Sequence, residues 1–394
     1  MKKKTTSFPK ILLFIFFMIV GGAVGYFVGK YVMKNSAALP ASVLVAIAVF
    51  FVPAFLIVIG FHESGHVIAG ILMKFEFKSI TVGPFMWEKQ QRGIAFRWNK
   101  NVNTSGGLAL CLPVGGENLK RRFAVYAAGG PLASIVLEIV MYLLSRIVPG
   151  IATEGNTLAL IVKWLLMEIA LLSALIAIAT LIPIHTGGFS SDGARIINLL
   201  KGGDVSRFEL LILKLMTATT GGVRPSLYSM NDLHEARQLA VQLNAPFGVY
   251  LHSFFHQAAF DKGEWDTAEV HLRDYIADAD AIPDGVRGMV WLDAAFFYAY
   301  AKKDLVQAQH YFEMFQLAAL IPAAQISATE AAISILKKDI QAANAAIENA
   351  RIALPDMIDQ GNAIALAEKL TELKKAVASF EEKESVTMDV SKQI

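Results

Sequence analysis

The sequence predicts a mainly α-helical, polytopic membrane protein with about four spans, a small β-sheet at the membrane face and a cytoplasmic domain of helical repeats. Three observations carry this reading. Only 18% of the 394 residues are charged while 55% are hydrophobic; four apolar stretches are long enough to span a bilayer; and the second half is Ala-rich, helically periodic and free of any run of that length. A mean hydropathy of +0.47 agrees. The net charge of +2 says little about partners, and nothing suggests nucleic acid. Cys111 is the only cysteine, which excludes an intrachain disulfide and a thiolate-rich zinc cage, so any metal must rest on His and carboxylates.

The first stretch, Ile11 to Met33, follows Met1-Lys2-Lys3-Lys4. It is too long for a signal peptide and lacks a small-x-small cleavage site, so it reads as a retained span. The other spans are Ala41 to about Met73, Phe123 to Val148 and Leu158 to Ile184. Lys2, Lys3, Lys4 and Lys10 flank the first. Lys74, Lys78, Lys89, Arg92, Arg97, Lys100, Lys120, Arg121 and Arg122 lie between the second and third, whereas the turns Asn35 to Pro40 and Pro149 to Thr157 have no Lys or Arg. That asymmetry predicts an integral protein, taken as one of a bacterial plasma membrane, with both termini and the central segment cytoplasmic. Phe75 to Val82 and Gly93 to Trp98 alternate in polarity around Gly83-Pro84, which predicts a short antiparallel sheet bordering the membrane. Its edge could hold an extended peptide by strand addition, or serve only as a structural hairpin.

The second span carries Phe61-His62-Glu63-Ser64-Gly65-His66, and apolar character resumes at once in Val67 to Met73. Residues four apart share a helix face, so His62 and His66 can bring two imidazoles to one cation with Glu63 beside them, the His-Glu-x-x-His arrangement of zinc hydrolases. Ionisable groups inside an apolar span cost roughly 2.5–3.5 kcal/mol each on insertion scales, so such a cluster implies partners. The third span opens with small residues, Ala127 to Ser134, suited to close packing on the histidine helix. Asp192, after the fourth span, taken alone reads as the N-cap of a helix over Ala194 to Leu200. Beside His62 and His66 it becomes the candidate third ligand, since a catalytic zinc needs three protein ligands and an open fourth position.

Amphipathic stretches Ala194 to Leu200 and Phe208 to Met216, separated by Gly202-Gly203, connect the membrane domain (1–200) through a linker (201–224) to a soluble domain (225–394). There Lys302-Lys303-Asp304-Leu305-Val306-Gln307-Ala308 recurs as Lys337-Lys338-Asp339-Ile340-Gln341-Ala342-Ala343, with Gly263-Glu264-Trp265-Asp266-Thr267-Ala268 in an earlier unit. The spacing and the Gly-x-aromatic-x-x-Ala pattern resemble degenerate tetratricopeptide repeats, whose concave surface would take a protein partner or substrate tail; a generic helical bundle is the alternative. His252 and His256 are four apart but lack a following Glu, and read as packing or surface residues.

In its spans the chain resembles the site-2 protease family of intramembrane zinc metalloproteases. The resemblance rests on His62-Glu63-Ser64-Gly65-His66, on Gly129-Gly130-Pro131, and on Pro183 through Asp192-Gly193. It implies that His62, His66 and Asp192 bind Zn2+, that Glu63 activates water, and that the substrates are membrane-spanning or signal-peptide-like segments in the bilayer. Thr180 stands where members usually carry Asn, and the longer gap from Pro183 to Asp192 leaves His185 as an alternative or extra ligand. A non-catalytic membrane adaptor of the same fold is the competing expectation.

Overall fold

The computed structural model describes residues 39–90, 93–99, 106–151, 156–186, 189–245, 247–282, 284–317 and 321–391. Among them three helices are long and apolar enough to cross a membrane: α1 (Ala41–Leu72), α2 (Leu119–Ile151) and α3 (Thr157–Leu181). The expected span Ile11 to Met33 lies outside the described residues. Phe50, Val52, Phe61, Ile68 and Leu143 are exposed, as a lipid-facing surface requires. Instead of reaching Ile184, α3 stops at Leu181, because Pro183 disfavours helical backbone before it.

The described residues form two compact units. One joins the residues up to Ala54 with Met141–Ile169, where Ser145 Oγ donates to Met167 Sδ at 3.1 Å. The other comprises Phe55–Val140 and Ala170–Ile394. Within it, α1 and α2 meet at bare backbone. A Cβ on Gly65 would lie 2.3 Å from the Gly129 carbonyl oxygen, and one on Gly129 would lie 2.4 Å from that of Gly65. Ser173 Oγ on α3 donates to the Ser134 carbonyl on α2 at 2.8 Å, satisfying a hydroxyl that lipid could not.

The membrane-face sheet has four antiparallel strands in the order β3-β2-β1-β4: β1 (Phe75–Val82), β2 (Phe85–Gln90), β3 (Gly93–Trp98) and β4 (Leu108–Pro113). Cross-strand aromatic pairs Phe85–Trp98 and Trp87–Phe96, with ring centroids 5.6 and 5.7 Å apart, bind β2 to β3. Polarity alternation missed β4, whose Leu-Ala-Leu-Cys-Leu-Pro run is apolar throughout because Cys111 packs with Phe75 and Tyr126. The Arg122 guanidinium donates to the carbonyls of Met73, Lys74, Val114, Gly115 and Glu117 at 2.7–3.2 Å, pinning the end of α1 and the exit of β4 to the start of α2.

Beyond the spans run α4 (Asp192–Lys201) and α5 (Gly203–Thr220), separated by Gly202 and Gly203 at φ +78° and +76°, a reversal that glycine takes without strain. After α6 (Met230–Gln242), helices pack as successive hairpins: α7 (Gly248–Lys262) on α8 (Trp265–Ala277), α9 (Asp284–Phe297) on α10 (Leu305–Met314), and α11 (Ala323–Leu336) on α12 (Ile340–Ala353). The helix α13 (Gln360–Ser391) follows. The recurring Lys-Lys-Asp is the hairpin turn. Lys303 and Lys338 take left-handed backbone (φ +53° and +61°), and Asp304 and Asp339 then cap the next helix by accepting from Gln307 N and Ala342 N at 3.0 Å. Gly263 (φ +79°) occupies the equivalent turn. Ala268, Ala308 and Ala343 are fully buried where the paired helices approach.

Asp293 and Asp359 line a cavity of about 110 Å³ together with His256, Asp261 and Lys369. Burial, and then the neighbouring Asp359 carboxyl, push Asp293 up to about 7. Because this folded pKa lies above the ordinary carboxylate value, the folded state holds a proton that the unfolded chain has released. Stability therefore falls as pH rises from about 4 through 7 and levels off above.

Two outcomes are expected. Gly129→Ala lowers stability by about 1–3 kcal/mol, read from thermal unfolding in detergent, because backbone cannot yield as a flexible side chain does. Asp293→Asn stabilises the protein at pH 8 by on the order of 3 kcal/mol, a gain that shrinks to nothing below about pH 4, read from thermal unfolding over a pH series.

Candidate metal centre

On α1, His62, Glu63 and His66 are 5%, 8% and 7% exposed, while Phe61 next to them is half exposed. The helical period separates a lipid-facing side from a polar inner side. The two imidazole centroids are 5.0 Å apart. Each ring is held by its Nδ1. His66 Nδ1 lies 2.8 Å from the Tyr126 carbonyl, which can only accept, so Nδ1 carries the proton and, in the neutral ring a metal requires, Nε2 keeps its lone pair. His62 Nδ1 lies 2.9 Å from Ser134 Oγ, itself fully buried.

Asp192 reaches the histidines because Ser191, not Asp192, caps α4. Ser191 Oγ accepts from Ala194 N at 3.2 Å and donates to the Ile182 carbonyl at 2.7 Å. The capping role that Asp192 would have taken alone thus falls to Ser191, and the Asp192 carboxylate is free to turn inward. Gly193 permits this approach, since a Cβ there would fall 1.9 Å from the Leu181 carbonyl oxygen. Asp192 Oδ2 sits 3.3 Å from His62 Nε2 and 3.4 Å from His66 Nε2. Two ligands bound to zinc at 2.0–2.1 Å in a tetrahedron lie about 3.4 Å apart, so the donor set fits that ion. Burial works to raise the Asp192 carboxyl, but the hydrogen bonds and charges that His62 and His66 supply when their rings are protonated outweigh it and hold the group at about 2. At neutral pH it is a carboxylate, as a ligand must be.

Sequence reasoning did not single out Tyr126, Ser134, Gly130 or Gly107 as parts of the site. A Cβ on Gly130 would stand 2.2 Å from His66 Nε2 and 2.7 Å from His62 Nε2, in the space a cation would take. A Cβ on Gly107, just before β4, would stand 2.5 Å from Glu63 Oε1, and the Ala109 backbone amide lies beside the same carboxyl. Tyr126 hydroxyl donates to the Ala109 carbonyl at 2.7 Å and fixes that strand end. Only the run of small residues opening the third span hinted at such close approaches. Thr180 Oγ1 returns to its own helix, donating to the Ala177 carbonyl at 3.3 Å. His185 belongs to a two-residue strand, β5 (His185–Thr186), paired with β6 (Phe189–Ser190), and its side chain lies outside the described ones.

The model of one protein family, peptidase family M50, matches residues 50–354, a stretch that contains His62, Glu63, His66 and Asp192 and the three helical hairpins. No curated protein matches the chain, nor does any solved structure.

Gly130→Ala is expected to weaken zinc binding about 10- to 100-fold while leaving the helix content intact, as measured by metal titration and circular dichroism.

Proposed function

This chain belongs to peptidase family M50, and from that premise we propose that it is a zinc-dependent intramembrane endopeptidase, cutting membrane-spanning or signal-peptide-like segments near the cytoplasmic face. The protein is integral to a membrane, and the family is one of membrane metalloproteases. The observation that carries the finer reading is the convergence of His62, His66 and Asp192 within one ion's reach, beside Glu63, on a helix otherwise apolar enough to span. A membrane adaptor that binds without cutting has no use for this cluster, whose burial is costly.

His62, His66 and Asp192 would hold the zinc, leaving a fourth position open. When bound, zinc polarises the scissile carbonyl and acidifies water. Glu63 takes the proton from the attacking water and returns it to the leaving amine. A spanning substrate hides its amides in helical hydrogen bonds and has to unwind before attack. The sheet supports such a step: among the described strands β4 is an edge, paired to β1 alone, and its N-terminal end reaches Glu63. The Lys and Arg distribution supports cytoplasmic termini, in what we take to be a bacterial plasma membrane. Residues 1–200 then form the protease domain, 201–224 a connector, and 225–394 a cytoplasmic domain that selects substrates or partners.

Cleavage of a co-expressed single-span protein should fall at least about 100-fold in Glu63→Gln, with zinc at His62 and His66 retained. Cleavage by that variant at the wild-type rate would overturn the reading.

A further inference from the structure

The helical half contains a second set of metal-ligand side chains that the proposed reaction does not use. His252 lies on α7, His271 and Asp274 lie three residues apart on one face of α8, and one ligand atom from each falls within 4.8 Å of the other two. The Nδ1 atoms of His252 and His271 are both shielded from solvent, and neither has a hydrogen-bond partner. Buried ring nitrogens are ordinarily bonded, and one turn further along α7 that rule is kept: His256 Nδ1 lies 2.9 Å from the Ala268 carbonyl. Two unsatisfied imidazole nitrogens beside a carboxylate are what a metal site looks like without its ion.

We propose that His252 Nδ1, His271 Nδ1 and a carboxylate oxygen of Asp274 form a second transition-metal site, for a zinc-class divalent ion, that clamps α7 to α8. His252 Nδ1 is 3.7 Å from Asp274 Oδ2, close to the spacing of about 3.4 Å between two ligands of a tetrahedral zinc. Its other nitrogen, Nε2, faces Asp278 Oδ2 at 3.8 Å, near enough for a small side-chain turn to make the hydrogen bond by which an outer carboxylate orients a ligating histidine. The Phe255 ring stacks on His271 with centroids 5.0 Å apart and holds its plane. Arg237 is the neighbouring cation, over the Phe255 ring at 5.8 Å. With Asp274 and Asp278 against one arginine, the formal charge of the group is −1 when the imidazoles are neutral. Two imidazoles with one carboxylate favour zinc, cobalt or nickel over calcium or magnesium, which take oxygen ligands. Three protein ligands leave a position for water or a partner's side chain. Occupancy then stabilises the α7–α8 hairpin in proportion to free metal.

The test uses tag-free, full-length protein, stripped with a chelator, reloaded with Zn2+ or Co2+ and analysed for bound metal. Wild type should bind two equivalents. His62→Ala/His66→Ala should keep one, with the visible absorption of a tetrahedral Co2+ site and a Tm that rises with added metal; His252→Ala/His271→Ala on that background should lose both signals. Absence of metal from folded His62→Ala/His66→Ala protein overturns the proposal, as does undiminished metal in the fourfold variant. If the fourfold variant does not fold, Asp274→Asn on the same background replaces it: at least tenfold weaker Zn2+ binding is expected, and unchanged binding overturns the proposal. Loss of the first site alone leaves these readouts intact, so failure of the protease reading is separately visible.

Discussion

Gly65 and Gly129 press backbone against backbone, and that contact sets where every polar group of the membrane site can stand. With any side chain between them, α1 and α2 would separate, and His66 and His62 would lose the Tyr126 carbonyl and Ser134 hydroxyl that orient their rings. A buried imidazole without such a partner is expensive in hydrocarbon, so close helix approach and a tolerable polar cluster are one requirement. Gly130, one residue on, keeps the space in front of both Nε2 atoms clear. The Gly-Gly pair thus has two tasks: Gly129 sets the helix spacing, and Gly130 leaves room for an ion.

The third ligand depends on a different constraint. Asp192 comes from beyond α3, and the chain must stop one helix, turn and start another within a few residues. Pro183 ends the first, Ser191 caps the second, and Gly193 lets the new helix lie against the Leu181 carbonyl. Because Ser191 satisfies the orphan amide of α4, the neighbouring carboxylate is spared a structural task. Here two adjacent cap-forming residues divide the work; the sequence pointed to Asp192 as a ligand but not to Ser191 as the cap.

Legibility followed the range of the interaction. The pair His62 and His66 could be read because helical periodicity is local, and the Lys-Lys-Asp turns because left-handed backbone and an Asp cap are short-range features. Strand β4 could not: its polarity pattern reflects packing on Phe75 and Tyr126, which are distant in sequence. Ser134 as the brace of His62 and Gly107 beside Glu63 were hidden for the same reason. The reading of His252 and His256 as packing or surface residues holds for His256, buried against Phe260 and Phe297. His252 is half-buried, and its neighbours His271 and Asp274 come from the next helix.

The position of β4 bears on how the proposed chemistry could reach a peptide bond. Unwinding a spanning helix strips its amides of partners, and each bare amide in apolar surroundings costs several kcal/mol. An edge strand offsets that cost locally by offering carbonyl and amide groups at alternate residues. Because Gly107 lies against Glu63, a segment added to β4 on the side that no described strand pairs would pass the carboxyl at the strand's N-terminal end. Attack is then confined to the few residues paired there. On this geometry, site selection within a substrate depends first on which residues will leave a helix and pair with β4, and only second on side chains at the cut. Gly107 itself can hardly be replaced, since at φ +108° its backbone is strained for any other residue and its Cβ would displace Glu63.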